Sequence, residues 1–237
     1  MDDTRLLIPY GVDRWSDDYV VPAGSGGAAS CRVPHAVVTP DRREPLRLHD
    51  GPYDFAEAPP MQDLADPAAQ LDFLRAYCDR QCSLWGKFQK LFVARYFAFV
   101  AAEVERNRQV LEARAGDFHG LYSYRDWLFT ALRPLPRAHL ELPDGSMTRV
   151  DFAFWTGAAL LAIDLAGSET AGAAQRVRAD RLRDAGVERI EIPNAALAAE
   201  DLARHLPPVL SRFWEHAPIP CGPFIPATLA GAAFGAV

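Results

Sequence analysis

Between Arg149 and Gly167 the chain reads RVDFAFWTGAALLAIDLAG. Two apolar runs of strand length flank Thr156-Gly157, a tight-turn signal. Strands joined this way are antiparallel neighbours. Each run carries one aspartate, Asp151 in the first and Asp164 in the second. A carboxylate inside a sheet core is costly unless a cation or a set of hydrogen bonds accompanies it. Any fold this chain adopts must therefore bring a partner to both acids.

The surrounding pattern fixes the class. SYRDWLFTALR reads as a short amphipathic helix, with Ser123 as its cap and Asp126 in the capping-box position. RAHLELPDGS is a strand entering a hairpin at Asp144-Gly145. After the two acidic runs, AGAAQRVRADRLRDAG is a helix stopped by Gly186, and VERIEIP is a fourth strand. The order is helix, three strands, helix, strand. Tight turns make the first pairings antiparallel, and the helical crossover makes the last one parallel. The expected fold is α+β or α/β, a mixed four-stranded sheet in an αβββαβ core. Residues 123–216 form that core, and AALAAEDLARHLPPVLSRFWEHA supplies a closing helix.

Three other segments differ in texture. Residues 1–65 are rich in Pro, Gly and Asp, with short β-like runs, and read as an extended or β-rich arm. Residues 66–116 read as helical, opened by the Asp66-Pro67 cap signal and closed by Gly116. Phe88, Leu91, Phe92, Tyr96, Phe99, Val100 and Val104 recur at helical spacing, and Val93 and Phe97 widen the stripe to nearly every face. Such a helix is either core or an interface for a protein partner or a second copy. Residues 217–237 carry no charge and read as an apolar strap, too broken by proline to span a membrane.

Net charge is −6, with 25 Lys and Arg against 31 Asp and Glu, which argues against indiscriminate nucleic-acid binding. Arginine dominates the cations, and the only lysines are Lys87 and Lys90. The acidic N-terminus lacks the pattern of a secretory signal, and four scattered cysteines fit a reducing, cytoplasmic setting. Cys78 and Cys82 share a helix face without further ligands nearby. The six histidines show no ligand spacing.

Two carboxylates held together repel unless a cation lies between them. Mg²⁺, or Mn²⁺ in its place, suits carboxylate oxygens, and the Leu165 carbonyl stands at the right place to assist. Such a metal activates water and neutralises charge on a phosphoryl group. The pattern RVDF at Arg149 to Phe152, AIDLAG at Ala162 to Gly167, and Arg178, Leu182 and Gly186 at four-residue steps resembles the PD-(D/E)XK phosphodiesterase superfamily, nearest to its very-short-patch-repair-like endonucleases. The resemblance covers under a third of the chain. It implies a nuclease acting on DNA or RNA, with Asp151 and Asp164 as metal-binding catalytic acids and an acid on the preceding helix, here Asp126, completing the site.

One position departs from that pattern. Ala166 stands where the family carries a second acid or a lysine. Glu169, in the GSET turn, is the nearest substitute. Arg176, Arg178, Arg181 and Arg183 crowd one helix and read either as a phosphate-tracking row or as a solvated face interleaved with Asp180 and Asp184. Two functional readings follow: a Mg²⁺-dependent nuclease, or a catalytically disabled nuclease-fold subunit that serves as a scaffold or nucleic-acid-binding module. Structural ion pairs at the two aspartates are the third outcome.

Overall fold

The computed structural model describes residues 8–11, 20–21, 30–31, 37–38, 45–49, 66–84, 86–116, 122–142, 145–166 and 173–217. Glu169 and the strap beyond Ala217 lie outside them.

The expected sheet is present. Strands β5 (Leu135–Glu141), β6 (Met147–Trp155), β7 (Leu160–Ala166) and β8 (Glu188–Pro193) lie in the order β5-β6-β7-β8. The first two pairings are antiparallel and β7 runs parallel to β8, making an α+β fold. Gly145 takes φ +76° in the β5–β6 turn and Gly186 φ +72° after α4 (Ala173–Asp184), conformations that glycine adopts without steric cost. In the N-terminal arm, β1 (Ile8–Pro9) pairs with β4 (Val37–Val38), and β2 (Val20–Val21) with β3 (Ser30–Cys31), each only two residues long.

Two expected helices are broken. The 66–116 segment divides into α1 (Pro67–Gln81), α2 (Lys87–Arg106) and α3 (Arg108–Ala115). The first break falls at Ser83–Gly86, where the Gly86 N–H donates to the Ser83 carbonyl at 2.9 Å. The closing helix becomes α5 (Asn194–Ala198), a 3-10 turn at Leu202–His205 and α6 (Pro208–Ser211). Pro207 and Pro208 cannot donate to a continuous helical ladder, and Glu200 sits at φ +62°.

Each face of the sheet has its own core. On one face Phe152, Phe154, Leu161, Ile163 and Ile192 pack beneath α1, α2 and the 3-10 helix Tyr124–Thr130. Phe92 of α2 lies at the centre, its ring 4.4 Å from Phe152 and 6.5 Å from Phe154. Most of the apolar stripe of α2 is internal: Phe92, Val93, Tyr96, Phe97, Val100 and Val104 are buried, while Phe88 at its start is exposed. On the opposite face Ala153, Leu160 and Ala162 pack with Leu182 of α4 and Val187. Among the described residues no helix is long and apolar enough to cross a membrane.

Cys78 and Cys82 are buried free thiols, and Cys82 Sγ donates to the Cys78 carbonyl at 3.5 Å. They behave as small apolar residues. Burial pushes both thiols up to about 12, from 9.0. The unfolded chain therefore loses these protons first. Their contribution to stability should be complete below pH 9 and decline as pH rises from about 9 towards 12. Urea unfolding of wild type and a Cys78→Ala/Cys82→Ala variant, compared at pH 8 and pH 10.5, checks this: the wild type should lose more stability over that interval than the variant.

Candidate functional site

The β6–β7 register runs from Trp155–Leu160 to Phe152–Ile163. One further step would set Asp151 across from Asp164, as the sequence implies. The backbone does not take that step. The Leu165 N–H donates instead to Asp151 Oδ2 at 2.8 Å, so a side chain closes the ladder.

The pairing with β5 is interrupted at the same point. Ala153 of β6 and Leu135 of β5 face the α4 side, and strict alternation would put Asp151 there too. Val150 and Ala138, however, also belong to the α4-side core. Both strands slip by one position between these pairs, at Asp151 and its neighbour Arg137. Arg137 carries φ +50°, uncommon for a residue with a side chain. Its guanidinium secures the kink, with Nε donating to the Gln81 carbonyl at 2.8 Å and Nη2 to the Gly11 carbonyl. The slip turns Asp151 towards α2. There Gln89 Nε2 donates to Asp151 Oδ1 at 2.8 Å, while Gln89 Oε1 accepts from the Ser83 N–H at 3.0 Å.

Asp164 stays on the α4 side and is buried, only 4% exposed. Arg178 of α4 donates to Oδ1 at 2.8 Å, and Arg189 of β8 donates to Oδ2 at 2.7 Å. Arg178 also reaches Thr148 Oγ1 at 3.2 Å and the Arg149 carbonyl, which ties α4 to β6 and β7 together. Arg189 continues to Glu191 at 2.9 Å. Burial alone would lower the Arg189 pKa, but hydrogen bonding and charge from Asp164, then from Glu191, raise it above the ordinary arginine value.

The expectation that both carboxylates meet at one rim is therefore corrected. Asp151 takes its side-chain partner from α2, and Asp164 takes its partners from α4 and β8. Arg178, read from sequence as part of a phosphate-tracking row or a solvated face, pairs with Asp164. Arg189 and Gln89 were missed. Arg189 was legible in principle, because in ERIEIP it alternates out of phase with Ile190 and Ile192 and so shares a face with Asp164. Gln89 carries no signal, since only the fold brings α2 to β6.

The remaining expected site residues are placed as follows. Asp126 completes a capping box: its Oδ2 accepts from the Ser123 N–H at 2.6 Å and from Ser123 Oγ at 3.0 Å. Arg183 pairs with Asp180 at 2.8 Å, and Arg181 Nη2 donates to Ser146 Oγ at 3.0 Å. Arg176 lies on α4, its side chain outside the described set. Leu165 meets Asp151 through its N–H. Each of the four carboxylate oxygens of Asp151 and Asp164 accepts from one N–H group, and Asp164 already faces two guanidiniums. Among the described residues no group of three His, Cys, Asp or Glu side chains is placed to hold a metal.

A separate cavity of about 500 Å³ opens at the other end of the sheet, lined by Arg47, Leu132, Thr156, Val209, Phe213 and Glu215 among others. Its charged groups have local partners: Arg47 Nη1 donates to the Thr130 carbonyl at 2.5 Å, and Arg212 pairs with Glu215 at 3.2 Å.

No protein-family model matches the chain, and neither a curated protein nor a solved structure matches it. The functional reading rests on the geometry above and on the motif resemblance.

Proposed function

We propose that this chain is a non-hydrolytic, nuclease-like subunit that works as a scaffold or binding module in a larger assembly. The observation that carries the reading is the double guanidinium clamp on Asp164. In a hydrolytic site that carboxylate would have to face a metal ion; here it accepts from Arg178 and Arg189 and joins a helix and a neighbouring strand to the sheet. Ala166 fits the same reading, since it offers neither a ligand nor a group to orient water. The reduced, buried thiols Cys78 and Cys82 support a cytoplasmic setting. Contact with DNA or RNA, if part of the role, would be binding without cleavage.

The test is direct. Full-length protein incubated with Mg²⁺ or Mn²⁺ and single- and double-stranded DNA and RNA should leave all four intact, and calorimetry should detect no stoichiometric metal binding. Metal-dependent cleavage that disappears in Asp151→Ala, with the melting curve unchanged, would overturn the proposal.

A further inference from the structure

We infer that this chain self-associates by joining the outer edge of β8 to the same edge of a second copy, antiparallel about a two-fold axis at Ile190. The inference goes beyond the scaffold reading above and does not rest on it. β8 is last in the strand order, and no described strand lies on its outer side. An edge of this kind presents backbone N–H and C=O groups to any strand that can pair with it. The opposite edge differs: the Gly11 N–H donates to the Pro136 carbonyl of β5 at 2.7 Å, so the N-terminal arm covers part of it. On β8 itself Glu188, Glu191 and Pro193 are exposed, and Arg189 and Ile190 are half-buried.

The strand's own sequence, ERIEIP from Glu188 to Pro193, selects both partner and register. In an antiparallel pair, residues directly opposite share a face of the sheet. A two-fold axis normal to the sheet therefore passes through a residue position. An axis at Arg189 sets that arginine against its own copy. An axis at Glu191 opposes two glutamates and places Pro193 across from Arg189. Like charges directly opposite are destabilising. With the axis at Ile190, the two isoleucines meet and Arg189 faces Glu191 of the second copy twice over. Pro193, which has no N–H to donate, then stays outside the paired stretch. Read in reverse, Arg-Ile-Glu exchanges its signs, so the strand is complementary to itself.

The side chains are set for this contact. Arg189 Nε donates to Asp164 and Nη2 to Glu191, while Nη1 donates to no acceptor among the described residues. Asp164 and Glu191 thus fix the guanidinium before a second copy arrives, and little rotamer freedom is lost on pairing. The Glu191 side chain is 42% exposed and meets Arg189 through Oε2, which leaves Oε1 for the arginine of the copy.

Sedimentation velocity of the full chain should show a reversible monomer–dimer equilibrium at concentrations up to about 100 μM, as a small interface gives. Glu191→Arg opposes arginine to arginine and should weaken the dimer by about tenfold or more. Glu188→Arg, which falls opposite Ile192 in this register, should change it far less, and far-UV circular dichroism should show both variants folded. The register is read separately in a Cys31→Ser/Cys221→Ser background. There a short bismaleimide should link Ile190→Cys to its copy, since the two Cβ atoms lie about 5 Å apart across the axis, and should link Glu188→Cys much more slowly. A monomer throughout the concentration range, or a dimer indifferent to Glu191→Arg, overturns the inference. Cross-linking at position 188 equal to or faster than at 190 also overturns it, and gives self-association to another register or surface. A monomeric result leaves the non-hydrolytic reading standing, and metal-dependent cleavage would leave a positive dimer result intact.

Discussion

Asp164→Ala should destabilise the protein by about 3 kcal/mol, read as a shift of the urea midpoint at pH 7. The substitution leaves two guanidiniums in a partly desolvated place with no shared anion. Their side-chain exposures, 30% for Arg178 and 17% for Arg189, place the cost at the lower end of what removing one partner of a buried ion pair produces. Asp164→Asn should cost less, because one oxygen still accepts. The double variant Asp164→Ala/Arg189→Leu should recover part of the loss, since it removes a stranded charge together with its partner. This pattern separates a structural clamp from a metal ligand. A ligand acid facing repulsion in the metal-free protein would gain stability on neutralisation, so a stabilised Asp164→Ala would refute the assignment.

A comparable effect is expected away from the acids. Phe92→Ala should cost about 3–5 kcal/mol, the range for truncating a buried phenylalanine. Phe92 is fully buried, and its ring contacts Phe152, Phe154 and Tyr96 at once. The change opens a cavity between α2 and the sheet, where neighbouring rings can relax only in part. Domains are stable by about 5–15 kcal/mol in total, so the variant should show a sharply lowered urea midpoint and reduced soluble yield. Phe88→Ala, four residues earlier on the same helix and partly exposed, should shift the midpoint far less. The contrast measures which part of the apolar run is interior.

Local signals explain what the sequence made legible. The strand order followed from apolar runs punctuated by Asp144-Gly145, Thr156-Gly157 and Gly186, because glycine and short polar turns act on the chain where they stand. The Ser123–Asp126 capping box was readable for the same reason. The α1–α2 break was harder, since apolar spacing continues across it and only Gly86 marks the place. Pro207-Pro208 marks the start of α6, a break that the helical periodicity of the closing segment masked. The candidate site depended on non-local facts. The left-handed conformation of Arg137, opposite Asp151 where the β5–β6 pairing is interrupted, has no signature in its residue type. The partners of Asp164 sit 14 and 25 residues away, and only the parallel crossover brings both to one oxygen pair.

The slip shared by Arg137 and Asp151 carries a wider consequence. Were β5 to straighten at Arg137, regular pleating would carry the Asp151 carboxylate through the plane of the sheet to stand beside Asp164. It would there compete with Asp164 for the Arg178 and Arg189 guanidiniums, and Gln89 and the Leu165 N–H would lose their acceptor. The irregular pleat thus keeps each acid with its own set of donors, one carboxylate to each face of the sheet.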